Sequence, residues 1–143
     1  MTAADRIADF VAALPLKPGM RVLEIGCGPG VAARLVAARI GPGMVLGIDR
    51  SARAISQAQA RSTTEIAAGL LRLRHVAVED LRLQPEDAPF DLAFAMRVGT
   101  LDGRHPELAE QALARIAAAL TPTAKLFIDG GNPLLEIALH RMT

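Results

Sequence analysis

Apolar residues fall at Ile7, Phe10, Val11 and Leu14, the i, i+3, i+4, i+7 spacing of one helical face, so residues 2–14 predict an amphipathic helix. Pro15 and the Pro18-Gly19 pair end it. Residues 22–25 form a short apolar run that closes in glycines, the pattern of a buried strand. A helix is predicted over residues 30–40, stopped by Gly41-Pro42-Gly43, and a second buried strand over 44–48. Ser51 can N-cap a long helix to about residue 68, with Gly69 at its end. Further strands are predicted over 75–78, 90–96 and 125–128, with a Pro- and acid-rich loop over 84–89. Between the last two strands, Pro106 opens a helix to residue 120 whose Leu108, Ala112, Ile116 and Leu120 share one face. Asn132-Pro133 has the cap and first-turn order that predicts a final helix to about residue 141.

Strands that alternate with helices at this spacing predict a doubly wound α/β fold, because parallel strands need right-handed crossovers covered by helix. The expected architecture is three layers around a mostly or wholly parallel sheet of about five strands, in the order 3-2-1-4-5. No internal repeat, low-complexity tract or linker interrupts the pattern, so residues 1–143 are read as one domain.

The composition narrows the function classes. The chain has 143 residues, 51% hydrophobic and 22% charged, which suits one globular core. Mean hydropathy is +0.29, yet charged residues break every apolar run before the roughly 18 residues of a membrane span. A net charge of +1 offers no strong field for phosphate polymers, and four Phe without Tyr or Trp leave few stacking platforms for nucleic acid. No nucleic-acid or membrane partner is expected. A single cysteine, Cys27, excludes an internal disulfide, and no His/Cys/Asp cluster has metal-ligand spacing. With no basic stretch and apolar core of an export signal near the start, the expected location is the cytoplasm.

In such folds ligands bind beyond the carboxyl ends of the strands. The first strand runs into Glu24-Ile25-Gly26-Cys27-Gly28-Pro29-Gly30, whose alternate glycines permit a tight turn and close ligand approach. The following helix aims its free N–H groups at the same place, which suits a carboxylate or a pyrophosphate equally. Asp49 ends the second strand, where a carboxylate can take two ribose hydroxyls; it can equally be a turn residue or cap. Glu79 and Asp80 are read at the end of the third strand, where an acid can accept from an adenine amine or be a solvated loop residue.

These residues, in this order, resemble the class I S-adenosylmethionine-dependent methyltransferase family. The run from Glu24 to Gly30 matches the family's E/D-x-G-x-G-x-G motif. Gly47-Ile48-Asp49-Arg50-Ser51 resembles its second motif, and Val78-Glu79-Asp80-Leu81 its third. Pro89-Phe90-Asp91-Leu92-Ala93-Phe94 resembles the fourth-strand segment. Leu120-Thr121-Pro122-Thr123-Ala124 resembles the Leu-x-Pro-Gly-Gly turn with both glycines replaced. The resemblance implies a Rossmann-like fold and S-adenosylmethionine as cofactor. It implies a binding set of Glu24, Gly26, Cys27, Gly28, Gly30, Asp49, Arg50, Glu79, Asp80, Leu81, Met96 and Arg97, with Glu24 ordering the methionine end and Met96-Arg97 beside the sulfur. Family members commonly add antiparallel sixth and seventh strands. Here only 14 residues follow Asp129, so a five-stranded sheet is expected, its fifth strand an open edge through which a homodimer can form.

The implied activity is methyl transfer by in-line displacement to a small-molecule acceptor, with a protein acceptor as the lesser choice. Catalytic residues stay unassigned, because alignment does most of the work in such a displacement. The weak candidates are His105 as a base, Asp102 as a substrate ligand and Arg97 as a clamp on an acidic substrate. Each has a plainer role: helix cap, Asp-Gly turn and solvated strand-end charge. The segment 97–105 is the expected place for the acceptor, and it lacks the Asn/Asp-Pro-Pro-aromatic signature of enzymes acting on planar nitrogens. Cys27 lies at a helix N-terminus, which lowers a thiol pKa, but the position reads as a small buried residue. His75, read at the amino end of the third strand, and His140 are assigned structural roles. The first helix can cover the cofactor through Phe10 and Val11, or simply pack on the sheet. Two alternatives stay open: an NAD(P)-binding Rossmann domain, since Gly28-Pro29-Gly30-Val31-Ala32-Ala33 fits G-x-G-x-x-A, and a non-catalytic cofactor-binding or oligomerisation module.

Overall fold

A computed structural model of the chain describes residues 1–101 and 104–139. Thr2 caps the first helix, α1 (Ala3–Ala13), in a reciprocal capping box with Asp5. The chain then alternates as the hydrophobic pattern requires: β1 (Arg21–Ile25), α2 (Val31–Ile40), β2 (Met44–Asp49), α3 (Ala52–Arg61) and α4 (Thr63–Ala67). There follow β3 (Leu71–His75), a 3₁₀ turn (Val78–Asp80), β4 (Phe90–Ala95), α5 (Pro106–Ala119), β5 (Leu120–Asp129) and β6 (Leu134–Ile137). The sheet order is β3-β2-β1-β4-β5-β6, with the first five strands parallel and β6 antiparallel to β5. The predicted 3-2-1-4-5 order is present, with one strand added at its end.

Strands buried on both faces alternate their side chains between two cores. On one face Leu23, Ile25, Leu46, Ile48, Ala93 and Leu126 pack under α5 through Ala112 and Ile116. On the other, Val22, Val45, Leu92 and Phe94 pack against Phe10, Val11 and Leu14 of α1 and Ala33, Val36 and Ile40 of α2. Glu24 pairs with Gly47 on one side and Phe94 on the other, so the sheet's central strand carries one acid into the interior.

Five sequence expectations are corrected. The third strand is Leu71–His75, not 75–78. As an edge strand it is half exposed and reads by alternation, Leu71 and Leu73 inward against Arg72 and Arg74, which sets it apart from the continuous apolar runs of the buried strands. Glu79 and Asp80 therefore sit on the 3₁₀ turn beyond the strand rather than at its end. The long helix is broken at Ser62 into α3 and α4. β5 is longer than 125–128, starting at Leu120 and shifting register between its Phe90 and Leu92 pairings.

The last correction concerns the end of the sheet. The predicted helix after Asn132-Pro133 is strand β6, so the fifth strand is not the edge and 14 residues do accommodate a hairpin partner. Gly130-Gly131-Asn132-Pro133 works as a reversal, returning Leu134 to pair with Asp129 and Ile137 with Leu126. A segment this short gains little as an isolated helix, whereas β5 offers it a ladder and a packed face. The sites read at Asp102 and His140 lie outside the described residues.

Candidate active site

The parallel strands end on one side of the sheet, and the connections leaving β1, β2 and β4 meet there. Gly26, Gly28 and Gly30 all have positive φ, at 70°, 53° and 90°. At Gly26 there is a further demand: a Cβ would lie 2.6 Å from Val98 Cγ2, so the residue after β1 must be bare for the β4 connection to close over it. The Gly26 and Cys27 N–H groups both donate to the Ile48 carbonyl, at 2.8 and 2.9 Å, which ties this loop to the end of β2.

Asp49 completes that tie. Its Oδ2 accepts from the Gly28 N–H and its Oδ1 from the Ser51 N–H, each at 2.9 Å. The carboxylate is thus both the turn residue that opens α3 and a strut under the glycine loop. Each oxygen keeps a second lone pair for a hydroxyl donor. Arg50 beside it pairs with Glu79, and His75 brings Nε2 to 2.9 Å from the Arg50 carbonyl. His75 therefore closes β3 next to the site, not at the strand's far end.

Glu24 is 3% exposed, and its Oε1 has no hydrogen-bond partner among the described residues. Burial pushes its carboxyl well above the usual carboxylate range, and the neighbouring Asp49 charge pushes the same way. A hydrogen bond from the Ala33 backbone and the Arg34 charge oppose them without prevailing. Burial, with Glu24 and Asp49 nearby, also pushes the Cys27 thiol up to about 12. The lowering expected from a helix N-terminus is overruled, and the thiol stays protonated.

Two cavities open onto these residues. The larger, about 710 Å³, is bounded by Glu24, Gly26, Cys27, Gly28, Met96 and Arg97, with Ile7 and Phe10 of α1 above and Asp129 to Pro133 at the side. The smaller, about 280 Å³, has Ile25, Ile48, Val76 and Val78 as an apolar floor beside Gly26, Asp49 and Arg50. Its other wall is Arg97, Val98, Gly99, Thr100, Arg104 and His105. Gly26 and Arg97 border both. Arg97 follows β4 with φ 55°, a left-handed backbone held by Asp129 Oδ1, which accepts its N–H at 2.9 Å, and by Arg104 Nη2, which donates to its carbonyl at 2.9 Å.

Of the residues read from the sequence, Glu24, Gly26, Cys27, Gly28, Asp49, Arg50, Met96 and Arg97 converge on the cavities. Gly30 caps α2 behind the loop. Glu79 is engaged by Arg50, Asp80 is exposed, and Leu81 is buried in the core, so none of the three lines a cavity. His105 lines the smaller cavity at the N-cap position of α5, without a side-chain cap bond. Phe10 lines the larger cavity while Val11 and Leu14 pack α1 inward, so the helix both roofs and packs. Asp129 and Asn132 line the larger cavity without having been singled out for the site by sequence, while Val98 falls in the 97–105 segment expected beside the acceptor. Asp129 ends a strand as Asp49 does, and the same strand-end rule would have found it.

A family model described as "Methyltransferase domain" matches residues 22–123. The chain belongs to the class I S-adenosylmethionine-dependent methyltransferase family. Trans-aconitate 2-methyltransferase of Methylobacterium nodulans is 33% identical over 138 residues, 94% of this chain and 47% of that protein. Among solved structures, the [4+2]-cyclase SpnF superposes with a TM-score of 0.71 at 29% identity, over 88% of this chain and 44% of that one. The Haemonchus contortus phospholethanolamine N-methyltransferase 2, in complex with phosphomonomethylethanolamine and S-adenosylhomocysteine, gives 0.70 at 27% identity, over 88% and 28%. The chain spans about half the length of the curated relatives it matches. The donor set suits the family's cofactor, since a dry carboxylate with an orphaned oxygen calls for a cation and Asp49 has acceptor capacity left for hydroxyls.

Proposed function

We propose that this chain binds S-adenosylmethionine across the strand ends and transfers its methyl group to a small organic acid. The observation that carries the reading is the orphaned Glu24 carboxylate on one side of the Gly26–Arg97 junction and Asp49 on the other. A buried acid keeps its charge when a cation sits beside it, so Glu24 is the residue for the ammonium and sulfonium end. Asp49 is the residue for the ribose hydroxyls, and Ile48, Val76 and Val78 give the base an apolar bed. The larger cavity, about 710 Å³, sits within the range of about 300–1,000 Å³ usual for such sites, and the smaller, about 280 Å³, just below it.

When bound, the cofactor supplies a methyl group on a sulfonium; an acceptor lone pair bonds to that carbon as the carbon–sulfur pair returns to sulfur. The chain's share is alignment and dryness. Arg97 stands at the junction, where its guanidinium can fork onto a carboxylate, and Arg6 stands on the roof. A carboxylate oxygen is already a nucleophile at neutral pH and needs no base, which leaves His105 a helix-end residue. The acid reading also draws on relatives named for trans-aconitate methylation. The same reading takes residues 1–143 as one unit with α1 as its roof. An NAD(P) site is disfavoured because its pyrophosphate would offer the buried Glu24 no cation.

Calorimetric titration with S-adenosylmethionine, S-adenosylhomocysteine and NAD tests the cofactor. Both adenosyl ligands should bind and NAD should not, and Asp49→Ala should weaken binding by about tenfold or more, the loss of hydrogen bonds to a charged group. Binding of NAD, or an Asp49→Ala protein of undiminished affinity, overturns the placement. Methylation of trans-aconitate, lost in Arg97→Ala, tests the acceptor class.

A further inference from the structure

Arg34 lies in the second turn of α2, between the buried Ala33 and Val36. Its Nη1 donates at 2.9 Å to the Pro29 carbonyl and at 2.9 Å to Ser62 Oγ. Ser62 is completely buried, and its hydroxyl does not cap α4, which starts beside it. A buried hydroxyl is tolerated when it is hydrogen-bonded, and Arg34 is that partner at the break between α3 and α4. Pro29 has no N–H, which leaves its carbonyl as its backbone handle. The fit is close: a Cβ on Gly30 would lie 2.8 Å from Arg34 Nη1.

The Arg34 charge also bears on Glu24, weakly beside burial and the Asp49 charge. Glu24 is faced by Asp49 from β2, by Arg34 and the Ala33 N–H from α2, and by the Cys27 thiol from the loop. Arg6 and Asp9 of α1, with Arg97 and Asp129, stand around the same cavity. Arg34 borders neither cavity. It reaches the site only through the loop and the field.

We propose that Arg34, anchored on Ser62, is a positioning residue that holds the 26–30 loop in its ligand-ready shape. This rests on the cofactor reading above. The brace has two ends: the Ser62 hydroxyl anchors the guanidinium, and the Pro29 carbonyl is what it holds.

The test uses the full chain with Arg34→Met, Arg34→Lys and Ser62→Ala, titrated with S-adenosylmethionine and S-adenosylhomocysteine from pH 6 to 9, with melting curves as the folding control. Ser62→Ala should weaken both ligands by about threefold to tenfold with an unchanged pH profile. Arg34→Met should weaken both by about tenfold or more, beyond the Ser62→Ala loss, because it removes the Pro29 bond as well. Arg34→Lys should recover part of the affinity, since both bonds come from the single nitrogen Nη1 and an ammonium can stand in for one nitrogen on a shorter stem. Affinity within twofold of wild type in Arg34→Met overturns the proposal. So does a loss no larger than that of Ser62→Ala, which leaves the Pro29 bond without effect. If wild type binds neither ligand, the cofactor reading fails instead, and the brace is read from amide exchange in the free protein. There Arg34→Met must speed exchange at Gly28 and Gly30 by about tenfold; unchanged exchange overturns it.

Discussion

Glu24 shows how one residue links fold stability to ligand. Its carboxyl is held well above the usual range by burial first and by Asp49 second. The folded chain therefore binds a proton that the unfolded chain has released, over the interval from the ordinary carboxylate pKa up to the raised one. With more protons on the native state, stability must fall as pH rises through that interval. A cationic ligand reverses the balance by favouring the ionised acid. S-adenosylmethionine binding should then release a proton, seen as binding heats that vary with buffer ionisation enthalpy. Glu24→Gln should abolish the release, flatten the stability profile and lose the ligand. Glu24 was legible as a motif residue, but its protonation was not, because desolvation comes from the strands on either side rather than from sequence neighbours. Cys27 repeats the lesson. The local signal, a helix N-terminus, lowers a thiol pKa, and burial among acids overrides it.

At the level of elements, β3 is an edge strand and Arg72 and Arg74 guard it. Both guanidiniums reach Asp87, at 3.2 and 2.9 Å, and the Asp87 side chain is completely enclosed. Desolvation raises its carboxyl pKa, but the Gln84 N–H and the Arg74 and Arg72 charges outweigh it and hold the carboxyl below the usual range. The resulting stability is complete above the ordinary carboxylate pKa and is lost as pH falls through the lowered one. Asp87→Ala should cost about 1–2 kcal/mol at neutral pH, discounted for the exposed Arg72, and this cost should vanish in acid denaturation series. The elements the sequence misplaced share a cause. β3 and β6 each pair with a strand distant in the chain, β2 and β5, and the buried Ser62 at the helix break bonds Arg34, 28 residues away. The buried strands β1, β2 and β4 were legible because they are apolar whatever their neighbours.

For the molecule as a whole, the chamber is enclosed by segments from the start, the middle and the end of the chain. Phe10 is the roof's contribution; it is 1% exposed and tilts against Phe94 with ring centroids 5.9 Å apart. Phe10→Ala should destabilise by about 3 kcal/mol and also weaken S-adenosylhomocysteine binding. Leu14→Ala, in the same core but away from the cavity, should destabilise by about 2–4 kcal/mol and leave affinity within twofold. Denaturant titration and calorimetry together separate the two effects.

The bond from the Arg97 N–H to Asp129 spans 32 residues, and the wall beyond it comes from Gly130 to Pro133. On a ribosome, the glycine loop and the β2 acid emerge early, but the junction they serve stays open until β5 has been made and has paired with β4. The hold of Asp129 on Arg97 is thus among the last contacts a growing chain of this sequence can make.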